Sequence, residues 1–319
     1  MSLAEFLSDA GNADRAMNIA ESIMHDGWKG ATFAYIASAL ANIGNANRAN
    51  QIFLHAISIA DSMKNARDKD GLVSSIAIEL AKAGRIDKAI HTVDTVRHDR
   101  DKNEALSQIA MELAKAGDVD RGINVANSIG HSRFRAEALS DISIYLAKTG
   151  NVNKATNIAN SFDFEGADAS FNSRALAAIA TQLALGGNIE KAIDIAKSIQ
   201  VGCRGFYALA GVAVELAEAG KLDNAIIVAK SIKESRDKVW ALSIIATALA
   251  NAGNTDMATK IYTQAFTIAD SFRKYPSYRA RAITAFAVEL IKASCLSVRQ
   301  QSKIAKKIME DIIPHCFAS

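Results

Sequence analysis

The run Ala105 to Ile129, ALSQIAMELAKAGDVDRGINVANSI, holds the plan of the whole chain, because close copies of it stand on both sides. Its glycine, Gly117, is one of a series: Gly11, Gly44, Gly84, Gly117, Gly150, Gly187, Gly220 and Gly253, spaced by 33, 40, 33, 33, 37, 33 and 33 residues. Self-similarity at a near-fixed period of this length marks a stacked-repeat architecture, in which each unit buries its apolar face only against its neighbours.

Each copy spells a helix, a stop and a second helix. Ahead of Gly84, Val73, Ile76, Ala77, Leu80 and Ala81 fall on one face at helical spacing. The Gly directly after that run is a helix C-terminal signal, since Gly enters the left-handed conformation without steric cost. Three residues beyond the Gly stands Asp or Asn in seven units (Asp14, Asn47, Asp87, Asp120, Asn153, Asp223, Asp256) and Glu190 in the eighth, which predicts a helix start there. Five beyond it stands Ala in seven units, with Gly122 once, predicting a close crossing of the two helices.

These residues resemble the tetratricopeptide repeat family. Ile76-Ala77, Leu80, Gly84 and Ala89 stand at that family's offsets, and Ala49, Phe53, Ala56 and Ala258, Tyr262, Ala265 extend the match into two second helices. The family's closing Pro has no counterpart, the chain having only Pro276 and Pro314. HEAT-like helical repeats are the other reading of the same pattern. The expected fold is all-α: an α-solenoid, a right-handed superhelix of about eight antiparallel helix pairs with a C-terminal capping helix. It forms one domain over 1–319, with 1–11 a truncated first helix, 12–294 the repeats and 295–319 the cap and tail.

Composition agrees with packed helices: half the residues are apolar, aromatics are few, and a net charge of +3 demands no polyanion. No run of 18 apolar residues and no basic start followed by an apolar core occurs, so the expectation is a cytoplasmic protein with no membrane partner. Cys203, Cys295 and Cys316 have no ligand spacing, and the six His fall at unrelated repeat positions, so no metal site, cofactor or catalytic residue is assigned. No phosphate-binding, zincin or nucleophile-elbow motif occurs, and the chain is expected not to be an enzyme.

Two departures from the common unit predict local structure. The unit after Gly44 gains seven residues, close to two helical turns, and the unit from Gly253 echoes it; both second helices should project about 10 Å beyond their neighbours at 1.5 Å per residue. The connection from Ser161 to Arg174 gains four residues and is expected to be a mobile loop.

Function is sought in the repeat slots. The residues ten and three before each Gly are small (Ala34, Ser74 and Ser107; Ala41 to Ala250). The resemblance places both slots on the concave side as a smooth lining, while close helix packing explains the same residues without a binding role. Large residues gather thirteen before the Gly: Glu104, Glu137, Arg174, Tyr207, Trp240 and Arg281. Arg174, Tyr207, Trp240 and Arg281 form the candidate concave row for a protein or peptide partner, because Trp, Tyr and Arg dominate binding hot spots. A fourth slot, fifteen before the Gly, is basic in six units: Lys29, Lys69, Lys102, Arg135, Lys238 and Arg279. This basic edge is the alternative site, for nucleic acid or an acidic ligand. Asp68, Asp101 and Asp237 interleave with it, which fits a solvated, mutually paired edge equally. The function expected is a non-catalytic interaction scaffold.

Overall fold

A computed structural model of the protein describes residues 10–161, 168–199, 204–233 and 235–271. Those residues form fifteen α-helices and no strand. The first helices of successive repeats are α2 (Asp26–Asn42), α4 (Ala66–Lys82), α6 (Asp99–Lys115), α8 (Ser132–Lys148), α10 (Asp168–Leu185), α12 (Arg204–Glu218) and α14 (Ser235–Asn251). The second helices are α1 (Ala10–Glu21), α3 (Ala46–Ser62), α5 (Ile86–Asp94), α7 (Val119–Asn127), α9 (Val152–Asn160), α11 (Ile189–Ser198), α13 (Leu222–Lys230) and α15 (Thr255–Asp270). The described residues fall into two compact units, 10–145 and 146–271, with Asp168 grouped with the first.

The Gly stop works as the sequence requires in seven repeats. Gly44, Gly84, Gly117, Gly150, Gly187, Gly220 and Gly253 all have φ between 73° and 92°. That conformation turns two amides back onto the helix just ended: Gly117 N donates to Ala114 O at 3.1 Å and Asp118 N to Leu113 O at 3.0 Å. The same two bonds recur at every one of these glycines, and together they satisfy carbonyls that a helix end leaves orphaned. Gly11 differs. It lies inside α1, so the first unit of the series has no stop among the described residues.

The helix start falls one residue after the Gly, not three. Asn45, Arg85, Asp118, Asn151, Asn188, Lys221 and Asn254 are the N-caps, and the side chains of Asp118 and Asn254 accept from Arg121 N and Met257 N at 3.3 Å. The Asp or Asn three beyond the Gly sits within the first turn, where a carboxylate still favours the positive helix end.

Apolar slots fill the core, and the slot eight before the Gly is Ile in most repeats, with Val212 in α12. Ile76, Ile109, Ile142, Ile179 and Ile245, each eight before its Gly, are fully buried. Each contributes about 1.5 to 3 kcal/mol of transfer free energy. In the first unit α2 packs against α4 and α4 against α6, each also covered by the second helix that follows it; in the second unit α12 packs against α14. The small slots serve these contacts. Ala34, Ser74, Ser140, Ala210 and Ser243 are buried, as are Ala81, Ala114, Ala147, Ala184, Ala217 and Ala250. Burial at these positions agrees with the close helix packing that also explains small residues there, while Ala41, Ser107 and Ala177 are half-buried.

The crossing residue five beyond the Gly is buried Ala in six repeats, and Gly122 shows why the seventh differs. A Cβ built on Gly122 would lie 2.7 Å from the carbonyl oxygen of Ala110. Gly122→Ala restores the repeat consensus and gains about 1 kcal/mol of helix propensity. Overpacking against backbone costs about 1 to 3 kcal/mol, so the variant is expected to be less stable by about 1 kcal/mol. A urea midpoint above that of the parent would show that α6 and α7 part freely.

The two lengthened helices are present. α3 has 17 residues and α15 has 16, against 9 or 10 for α5, α7, α9, α11 and α13. Just past four short helices, Val96, Ile129, Ile199 and Ile232 turn inward and are buried, which ends the helix on an apolar contact. The expected loop from Ser161 to Arg174 is shorter than the sequence implied: α10 already begins at Asp168, and residues 162–167 lie outside the described residues. Residues 1–9 of the truncated helix expected over 1–11, the ninth repeat and the expected capping segment 295–319 also lie outside them.

Candidate functional site

The basic slot has the most direct chemistry, that of a cation near helix ends. Lys29, Lys69 and Lys102 reach back eight residues to Glu21, Asp61 and Asp94, at 3.7, 2.8 and 3.6 Å. Arg135 donates to the carbonyl of Ile129 at 3.4 Å and Lys238 to that of Lys230 at 3.3 Å. All five targets lie at or just past the last turn of the preceding second helix, where orphan carbonyls and the helix dipole favour a cation. The slot therefore closes helix ends within each unit. The interleaved acids do not partner it: Asp68 is exposed, Asp101 lies 2.9 Å from His98 Nδ1, and Asp237 is buried 3.3 Å from Arg236. Arg279 lies outside the described residues.

A second charged device links neighbouring repeats. Asp14 pairs with Arg48 and Asp87 with Arg121, in each case the acid three residues beyond the repeat's Gly with a base one repeat further on. Asp87 holds the Arg121 guanidinium above its ordinary pKa, first through the hydrogen bond and then through its charge. Asp70, in α4, is buried and accepts from Arg97 N at 3.2 Å and His98 N at 2.9 Å, fixing the entry into α6.

Of the candidate row, the structure shows two side chains. Arg174, exposed on α10, has its guanidinium 5.4 Å from the centre of the Phe171 ring. Trp240, on α14, is 37% exposed, although Val239 and Ala241 beside it are fully buried. Tyr207 lies in α12 at the equivalent position, with its side chain outside the described residues, and Arg281 lies wholly outside them. Sequence reasoning passed over a more open aromatic pair. Trp28 and Tyr35, seven residues apart on α2, are 71% and 53% exposed. Seven residues are about two helical turns, so both lie on one face, a signal present in the sequence.

Two cavities of about 560 Å³ open in the first unit. One lies between α1 and α3 and is rich in amides, with Asn18, Asn47 and Gln51 around the Asp14 and Arg48 pair. The other lies where α3 outruns α5, over the first half of α4.

No family model matches the chain, and no curated protein matches it. Solved structures similar to it include the crystal structure of Ton1535 from Thermococcus onnurineus NA1. That chain is 20% identical, with 87% of this chain and 84% of the other covered, at a TM-score of 0.35. Another is a circular tandem repeat protein with novel repeat topology and enhanced subunit contact surfaces. It is 10% identical over 96% of this chain and 74% of the other, at a TM-score of 0.22.

Among the described residues no three His, Cys, Asp or Glu side chains cluster as a metal site. No described helix is long and apolar enough to cross a membrane.

Proposed function

We propose that the chain is a non-catalytic scaffold that binds a protein or peptide segment along the row Arg174, Tyr207, Trp240 and Arg281. In this reading the repeats are tetratricopeptide-like, about eight helix pairs wind into a right-handed superhelix, and the first helices form its concave face. The supporting observation is Trp240: an indole more than a third exposed on a helix whose flanking residues are sealed in the core. Exposed Trp, with Tyr and Arg at the same repeat offset, is the composition of binding hot spots.

The basic slot supports nucleic-acid binding less well, because the cations Lys29, Lys69 and Lys102 already face acids and Arg135 and Lys238 face carbonyls. Binding along it would weaken steeply with salt as counterions are released.

Trp240→Ala is expected to reduce partner capture from native extract by about thirtyfold, equivalent to about 2 kcal/mol, with the melting temperature nearly unchanged. Trp28→Ala, at the more exposed indole of the other unit, serves as the control and should capture normally. Loss of capture in the Trp28 variant alone would move the site to α2 and end the row hypothesis.

A further inference from the structure

α3, with 17 residues, outruns α5, with 9, and leaves a notch of about 560 Å³ in the first unit. One wall is the extension of α3, with Ile57; the floor is α4, with Val73 and Ile76; the far wall is the end of α5 and the connection that carries Arg97. The volume lies in the range of small-molecule sites, and an apolar floor with a few placed charges is their usual make-up.

Two charges in this notch are uncommitted. Asp70, 9% exposed, spends Oδ2 on the amides of Arg97 and His98, while Oδ1 meets no donor among the described residues. The exposed Arg97 guanidinium meets no acceptor among the described residues. At the rim Lys69 and Asp61 neutralise each other at 2.8 Å, and His91 is exposed there. A purely anionic ligand would be repelled by the buried carboxylate of Asp70, and a purely cationic one by Arg97. A ligand with both charges and a branched apolar body meets every surface.

We propose that the notch binds a free aliphatic α-amino acid. Its ammonium donates to Asp70, its carboxylate accepts from Arg97, and its side chain rests on Ile57 and Val73. The site lies in the first unit, goes beyond the row proposed above, and stands or falls separately from it.

The test is titration of the full chain with L-leucine, monitored through backbone amide resonances. The expected result is saturable shifts at Val73, Ile76 and Arg97. N-acetyl-leucine lacks the ammonium, leucinamide lacks the carboxylate and glycine lacks the side chain; each should bind at least about tenfold more weakly, the factor that 1.4 kcal/mol represents. Arg97→Gln keeps the backbone bond to Asp70 and should abolish the preference for leucine over leucinamide with the melting temperature unchanged. Val73→Phe, which fills the floor, should remove binding. The assignment is overturned by equal binding of leucine and leucinamide, by tightest binding of either blocked analogue, which would indicate a peptide terminus, by shifts away from the notch, or by no saturable shift up to about 10 mM.

Discussion

Asp70→Ala is expected to lower the unfolding free energy by about 3 kcal/mol. The carboxylate is buried and receives two backbone amides, Arg97 N and His98 N, that no other described group satisfies. A hydrogen bond to a charged group contributes about 1.5 to 3 kcal/mol, and leaving a buried donor unpaired exposes its full desolvation cost. Asp70→Asn retains an acceptor and is expected to recover roughly half the loss; Asn103 stands at the same slot in the next repeat and is itself buried. Urea denaturation gives the magnitude, and hydrogen exchange at the amides of Arg97 and His98 gives the location. An alanine variant within about 0.5 kcal/mol of the parent would mean that water replaces the carboxylate without loss.

Ile109→Ala should cost about 3 to 4 kcal/mol, within the range seen when a fully buried Ile loses its side chain and leaves a cavity. Ile109 is inaccessible to solvent in α6, which packs on both α4 and α7. The residue occupies the repeat's central slot, so Ile76→Ala and Ile142→Ala should cost similar amounts. Val212→Ala, at the same slot in α12, should cost about 1 kcal/mol less because one methylene fewer is removed. Costs that scatter without regard to slot would show that the repeats are equivalent in sequence but not in packing.

What the sequence shows of this fold is what local chemistry decides. Gly44 and its counterparts had to be helix stops, because the left-handed conformation is a property of one residue and its immediate backbone. The heptad in α3 was equally legible, since seven residues preserve the phase of an apolar face. The helix starts were misplaced by two residues because the turn itself supplies the N-cap: the residue after the Gly both ends one helix and begins the next. Partnerships across space stayed hidden. Lys69 could pair with Asp68 on sequence proximity, yet it meets Asp61, since the chain reverses between α3 and α4 and brings a helix end within reach. The small slots were open to two readings, lining or close packing, and the choice between them depends on which neighbouring helix lies above Ser74 or Ala114, both of which are buried. The candidate row was legible as a shared offset, but the exposure of Trp240 and of Trp28 depends on packing that no single repeat contains.

The doubly used residue after each glycine also bears on elasticity. Within a hairpin such as α6 and α7, only Ala116, Gly117 and Asp118 separate the helices, and the amide of each is tied by a backbone bond. No spare torsion is left there to absorb bending. Compliance under load is thereby placed in the connections that lead from a second helix to the next first helix, which in the first unit run from three residues between α3 and α4 to four between α5 and α6. A chain of stiff brackets joined by short tethers stores strain at regular intervals, and a pulling experiment should release it one bracket at a time.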